Sequence, residues 1–131
     1  MTFSMNLIAY AVSGLIAAAI VFIGARFLLS PAAAARDYGI PATASPVAGV
    51  TAWLTVKGVR DITSGLFTGL LMVSAPPRLL GEFLLIASVI AIGDAAIVLR
   101  AGGSKAAAFG IHGVTALVII ATGATLIVAA N

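Results

Sequence analysis

The chain has 131 residues, 62% hydrophobic and only 8% charged, against about 25% charged in a soluble domain. With a mean hydropathy of +1.21, that balance excludes an ordinary cytosolic fold, and a formal charge of +3 spread among apolar residues excludes the clustered basic footprint of nucleic-acid binding. No cysteine is present, which also excludes thiolate metal sites, iron–sulfur ligation and thiol redox chemistry.

A helix crossing the hydrocarbon core takes about 20 mostly apolar residues at a rise of ~1.5 Å each, and four stretches meet that requirement. The first runs from about Met5 to Leu29. It lacks a basic n-region, and its apolar run exceeds the roughly 7–15 residues of a signal-peptide core, so it reads as a retained span. Ser30-Pro31 marks a helix start. Ala32–Tyr38 then reads as a short interfacial helix, ended by Gly39 and Pro41, with Tyr38 at headgroup level. Ser45-Pro46 marks the second span, from about Pro46 to Val73. After Pro76-Pro77 the third span runs from about Pro77 to Leu99. Gly102-Gly103-Ser104 separates it from the fourth, from about Lys105 to Ala130, with Ser104 as its cap. The apolar runs show no sustained period of two and are too long for barrel strands.

The expected fold is therefore all-α, a single integral membrane domain over residues 1–131 built as an antiparallel bundle of four transmembrane helices, its neighbours joined by short connections. Gly58, Gly65 and Gly69 on the second span, and Gly14 and Ala18 on the first, provide small-residue faces for close helix packing. The first connection holds Arg36, with Arg26 nearby, and the third holds Arg100 and Lys105, whereas the second offers only Arg78. By the positive-inside rule the first and third connections are cytoplasmic and both termini are not. A bacterial inner membrane is the expected location.

The residues that invite a functional reading are the polar ones inside the spans, because a charge near the bilayer centre costs about 2.5–3.5 kcal/mol on insertion scales and so faces protein or water. Lys57, Arg60, Asp61 and Ser64 share one face of the second span by their spacing of three and four residues, and Trp53 extends the stripe. Asp94 lies about 9 Å inside the third span measured from Arg100, and His112 about 11 Å inside the fourth measured from Lys105. Both are reached from the same side, so the helices can bring them to one polar pocket with Arg60 and Asp61. A carboxylate, an imidazole and a guanidinium in a low-dielectric cavity can move protons and stabilise negative charge. Asp61, Asp94, His112 and Arg60 are accordingly the candidate catalytic residues, Asp94 or Asp61 as base, His112 as acid or shuttle and Arg60 as anion stabiliser. Lys57, Trp53, Ser64, Thr115 and Arg26, the last at the pocket's mouth, are the candidate binding residues. The competing structural reading is an internal ion pair, such as Lys57 with Asp61, that holds helix register. The spacing gives no diagnostic metal motif, and no metal or other cofactor is expected.

The stretches Gly24-Ala25-Arg26-Phe27-Leu28-Leu29-Ser30-Pro31, Tyr38-Gly39-Ile40-Pro41, Lys57-Gly58-Val59-Arg60-Asp61-Ile62, Gly93-Asp94-Ala95 and His112-Gly113-Val114-Thr115-Ala116 cover most of the chain. In them the chain resembles an uncharacterised family of small four-helix membrane proteins from bacteria and fungi, known as a domain of unknown function. In architecture it is also similar, more distantly, to DoxX-like membrane proteins, some of which associate with redox enzymes. The resemblance implies the four-helix topology and the same polar residues as a signature, and it implies no activity.

The leading functional expectation is an internal polar pocket for a lipophilic small molecule or membrane lipid, with cofactor-independent acid–base chemistry as an extension. The alternatives are a small proton-coupled transporter acting as a homodimer, and a non-catalytic subunit whose charges pair with another membrane protein.

Overall fold

The computed structural model describes residues 2–41 and 48–130. Within them the chain is all-helical: α1 (Thr2–Leu29), α2 (Pro31–Tyr38), α3 (Ala48–Ser74), α4 (Pro77–Arg100) and α5 (Lys105–Ala129). The helix start expected at Ser45-Pro46 lies outside the described residues. Of the long helices, α1 from Ser4, α4 and α5 are long and apolar enough to cross a membrane. α3 matches them in length at 27 residues but carries Lys57, Arg60 and Asp61 within it.

Local signals explain the boundaries. Pro31 and Pro77 each stand in the first turn of their helices, where a missing N–H leaves no bond unmade. Ser30 does not cap α2 with its side chain, whereas the Ser104 hydroxyl accepts from the Ala107 N–H at 3.0 Å and caps α5. α2 ends at Gly39, whose φ of +101° is left-handed. There the Gly39 N–H donates to the Arg36 carbonyl and the Ile40 N–H to the Ala35 carbonyl, both at 3.0 Å, closing the helix as glycine stops do.

Glycines decide which helices lie closest. A Cβ built on Gly24 would stand 2.6 Å from the Gly58 carbonyl oxygen, and one on Gly58 2.7 Å from the Gly24 oxygen. A Cβ on Gly65 would stand 2.7 Å from the Ala17 oxygen. α1 and α3 are thus an antiparallel pair in near backbone contact. Gly81 and Gly123 do the same for α4 and α5, with Cβ-to-carbonyl approaches of 2.6 and 2.8 Å. Gly69, expected on the packing face, has open space around its Cβ position, and Gly14 meets only the end of Met72 at 3.4 Å.

The two pairs meet through α1 and α5, while α3 and α4 touch sparsely despite the tight Ser74–Pro77 connection between them. That departs from the expectation that every short connection joins packed neighbours. Phe67 and Phe83 stack edge to face at 5.1 Å near that turn. Ala9, Leu80, Leu84, Ile119 and Leu126 form one buried cluster, and Phe27, Ala34 and Ala35 a second one beneath α2. At that end the first and third connections also meet, since a Cβ on Gly103 would collide with the Gly39 carbonyl oxygen.

The outer surface is apolar, with Leu15, Phe22, Ile86, Leu117 and Val128 all exposed. A surface of this kind suits lipid rather than water, as the three long apolar helices do.

Candidate functional site

A cavity of about 480 Å³ lies inside the bundle, between α1, α3, α4 and α5, and Tyr38 at the end of α2 reaches into its lining. It extends from Phe83 to Asp94 on α4, which is about 16 Å at the helical rise. One end is polar and lined by Tyr38, Lys57, Asp61, Asp94 and His112; towards Phe83 and Leu84 the walls become mostly aliphatic.

The polar end is built on a single ion pair. Lys57 and Asp61, one helical turn apart on α3, place Nζ 2.6 Å from Oδ2 with both side chains largely buried. Two aromatic faces surround the ammonium, Nζ lying 4.5 Å from the Tyr38 ring centre and 5.0 Å from that of Phe27. Cation–π attraction to each ring holds it there and compensates part of its lost hydration. Phe27 meets Tyr38 edge to face at 5.6 Å, and Tyr38 in turn packs on the His112 ring at 4.2 Å. α1, α2, α3 and α5 are thereby tied together around one charged nitrogen.

His112 is 5% exposed. Its Nε2 lies 2.9 Å from the Tyr38 carbonyl oxygen. A carbonyl only accepts, so Nε2 carries a proton, and in the neutral ring Nδ1 is the acceptor. The backbone of α5 widens to a π-helix over Ala108–Gly113 at this point. Insertions of this kind re-aim side chains and occur frequently at functional sites. Gly110 and Gly93 have open space at their Cβ positions, so they leave room beside His112 and Asp94 rather than drawing backbones together.

Asp94 lines the cavity and forms no ion pair among the described residues; it stands beside the Tyr38 hydroxyl and acts on it as an acceptor. The Tyr38 hydroxyl is buried and lacks a hydrogen-bond partner of good geometry. Burial, then the charge of the neighbouring Asp94 carboxylate, the hydrogen-bonding interaction with it and last the charge of Asp61 raise its pKa far above the usual tyrosine range. The phenol therefore keeps its proton. The carboxylate and the phenol stand side by side at the head of the cavity, interacting without good hydrogen-bond geometry.

The other residues singled out from sequence divide clearly. Ser64 and Thr115 line the cavity, each with its hydroxyl donating to the backbone carbonyl four residues earlier, Arg60 and Ile111 respectively. Arg60, expected to stabilise an anion, is exposed and lies outside the lining. The α1–α3 register set by Gly24 and Gly58 turns Lys57 and Asp61 inward and Arg60 outward. Trp53 is 70% exposed and also outside. Arg26, expected at the mouth, instead pairs with Asp37 at 2.6 Å and ties α1 to α2 at the surface. Among the described residues no group of three His, Asp or Glu side chains converges as metal ligands would. Phe27 and Tyr38 belong to the site though neither was a candidate site residue; Tyr38, expected at headgroup level, instead lines the cavity and packs on Lys57 and His112, its signal an aromatic residue directly before the Gly39 helix stop.

A family model, described as a domain of unknown function (DUF4267), matches residues 17–126. The chain belongs to this family. The match runs from the middle of α1 to near the end of α5, so every residue at the cavity's polar end falls inside the family's domain. No curated protein and no solved structure matches the chain.

Proposed function

We propose that this DUF4267 chain is a four-span membrane protein that binds a lipophilic small molecule in its internal cavity. The observation that carries the reading is the cavity's two-ended character: about 480 Å³ of mostly aliphatic space closed at one end by Tyr38, Lys57, Asp61, Asp94 and His112. Ligand sites combine apolar walls with a few convergent polar groups, and a hydrophobic ligand meets such walls without leaving the bilayer.

α3 completes the bundle as a fourth span in this reading. Its 27 residues extend about 40 Å, enough for a hydrocarbon core of about 30 Å. Its antiparallel contact with α1 supports the same depth. Lys57 and Asp61 are shielded as a pair, and Arg60, facing outward, extends its stem toward the headgroups. The side bearing α2 holds Arg36, Arg100 and Lys105, which supports a cytoplasmic location for it, with both termini across the membrane; a bacterial inner membrane fits that arrangement.

The same geometry bears on acid–base chemistry. Asp61 is engaged by Lys57 and the His112 Nε2–H by the Tyr38 carbonyl, so Asp94, outside any described ion pair, is the group placed to accept a proton from a bound molecule. The reading is tested by native mass spectrometry of protein released gently from its membrane. A lipophile is expected at one copy per chain, and it should be missing from Ala87→Trp, which fills the middle of the cavity. Equal occupancy in the wild-type chain and a folded Ala87→Trp variant overturns the proposal.

A further inference from the structure

We infer that the cavity accepts lipophiles with an uncharged hydroxyl or phenol head, admitted sideways from the bilayer between α3 and α4, and that this head bridges Asp94 and Tyr38. The inference rests on the binding role proposed above and adds the chemical class and the route.

The head class follows from what the polar end lacks. Lys57 and Asp61 neutralise each other at 2.6 Å, and Asp94 leaves one uncompensated negative charge in a site of low dielectric. A carboxylate, phosphate or sulfate head would meet that charge with no free cation beside it, because Arg60 faces outward. An ammonium head is disfavoured for a different reason. The aromatic faces that would receive it, those of Phe27 and Tyr38, are already occupied by Lys57 Nζ. Two groups have only an imperfect interaction with each other: the Tyr38 hydroxyl, buried without a hydrogen bond of good geometry, and the Asp94 carboxylate beside it. A single hydroxyl satisfies both, giving its proton to Asp94 and accepting the proton of Tyr38.

The route follows from the packing. α1 with α3 and α4 with α5 are sealed by glycine contacts, whereas α3 and α4 diverge beyond the Phe67–Phe83 contact. Ile86, Val89 and Ile90 of α4 both line the cavity and are exposed, so the cavity's wall on this side is also part of the lipid-facing surface. A tail entering there has about 16 Å of mostly aliphatic space along α4, from Asp94 to Phe83.

The test uses the full chain in lipid nanodiscs and four probes sharing one tail: 4-octylphenol, 4-octylbenzoate, trimethyl(4-octylphenyl)ammonium and octylbenzene. Titration calorimetry is expected to show 4-octylphenol saturating at one per chain and binding roughly tenfold or more tightly than the other three, as a hydrogen bond to a charged group contributes. Tyr38→Phe and Asp94→Leu should each abolish the preference for 4-octylphenol over octylbenzene, with far-UV circular dichroism reporting that each variant is folded. Should Asp94→Leu not fold, the conservative Tyr38→Phe carries the comparison. Tighter binding of the benzoate or the ammonium probe overturns the head assignment, as does a phenol preference that survives both variants. If octylbenzene binds as tightly as 4-octylphenol, the cavity binds lipophiles but the head assignment falls. If no probe binds, the binding role itself falls with it.

Discussion

Gly58→Ala places one methyl group at a close contact between α1 and α3. Its Cβ would lie 2.7 Å from the Gly24 carbonyl oxygen and 3.0 Å from the Phe27 Cβ. Ordinary contact begins near 3.4 Å, so the first approach is short by about 0.7 Å. Neither obstacle is the end of a flexible side chain, and α1 must move away from α3 as a body. Overpacking of this kind costs about 1–3 kcal/mol. Gly69→Ala on the same helix provides the control, because nothing lies within 4 Å of its Cβ position. Alanine favours the helix over glycine by up to about 1 kcal/mol at either site, so that contribution cancels in the comparison and the difference isolates the steric cost. The assay is reversible unfolding in mixed micelles by titration with dodecyl sulfate, followed by emission from Trp53, the chain's one tryptophan. Gly58→Ala should unfold at lower denaturant than the wild-type chain and Gly69→Ala at equal or higher denaturant. Equal stability of the two variants would refute the close α1–α3 contact on which the inward direction of Lys57 and Asp61 depends.

Three further perturbations probe the polar end and its support. Asp61→Asn strands the Lys57 ammonium and should cost about 2 kcal/mol, below the ~3–5 kcal/mol of a fully buried broken pair because both side chains keep some exposure; Lys57→Met combined with Asp61→Leu should recover most of that loss in the same unfolding assay. Tyr38 has a folded-state pKa raised above its ordinary value of 10.0. Its contribution to stability is therefore fully present below pH 10 and declines as pH rises toward the folded value, so Tyr38→Phe should lose less stability than wild type between about pH 10 and 11. Gly39→Ala forces a side chain into a left-handed conformation and against Ala107, whose Cβ would be 2.7 Å away; a loss of about 1–2 kcal/mol is expected, together with weaker 4-octylphenol binding as Tyr38 shifts.

The helices were legible because long apolar runs separated by Ser-Pro, Pro-Pro and Gly-Gly-Ser leave little choice of element. Counting residues from the helix ends puts Asp94 and His112 at similar depth, and the two line one cavity with Asp61. Facing was harder. Residues 57, 60, 61 and 64 form one stripe at ideal helical spacing, yet that stripe is wide enough for Lys57 and Asp61 to turn inward while Arg60 faces out. Which edge wins is decided by where α1 docks, and Gly24 and Gly58 set that through a contact that no single helix encodes. The role of Tyr38 was hidden for a related reason. An aromatic residue on a short interfacial helix looks the same whether it anchors in headgroups or folds beneath the bundle, and only the Gly39–Gly103 approach chooses between them. The π-helix at His112 leaves no periodic signature, because one widened turn barely changes the apolar pattern around it.

The central claim, a lipophile seated with its head among the polar residues and its tail toward Phe83, is tested most directly by intermolecular NOEs. The measurement uses isotope-labelled protein in nanodiscs with 4-octylphenol. Contacts from the phenol ring to Tyr38 and His112, together with contacts from the terminal methyl to Thr68 and Phe83, are the expected result. Contacts confined to outward-facing residues such as Leu66, Val73 and Leu117 would place the probe on the lipid surface and contradict the account.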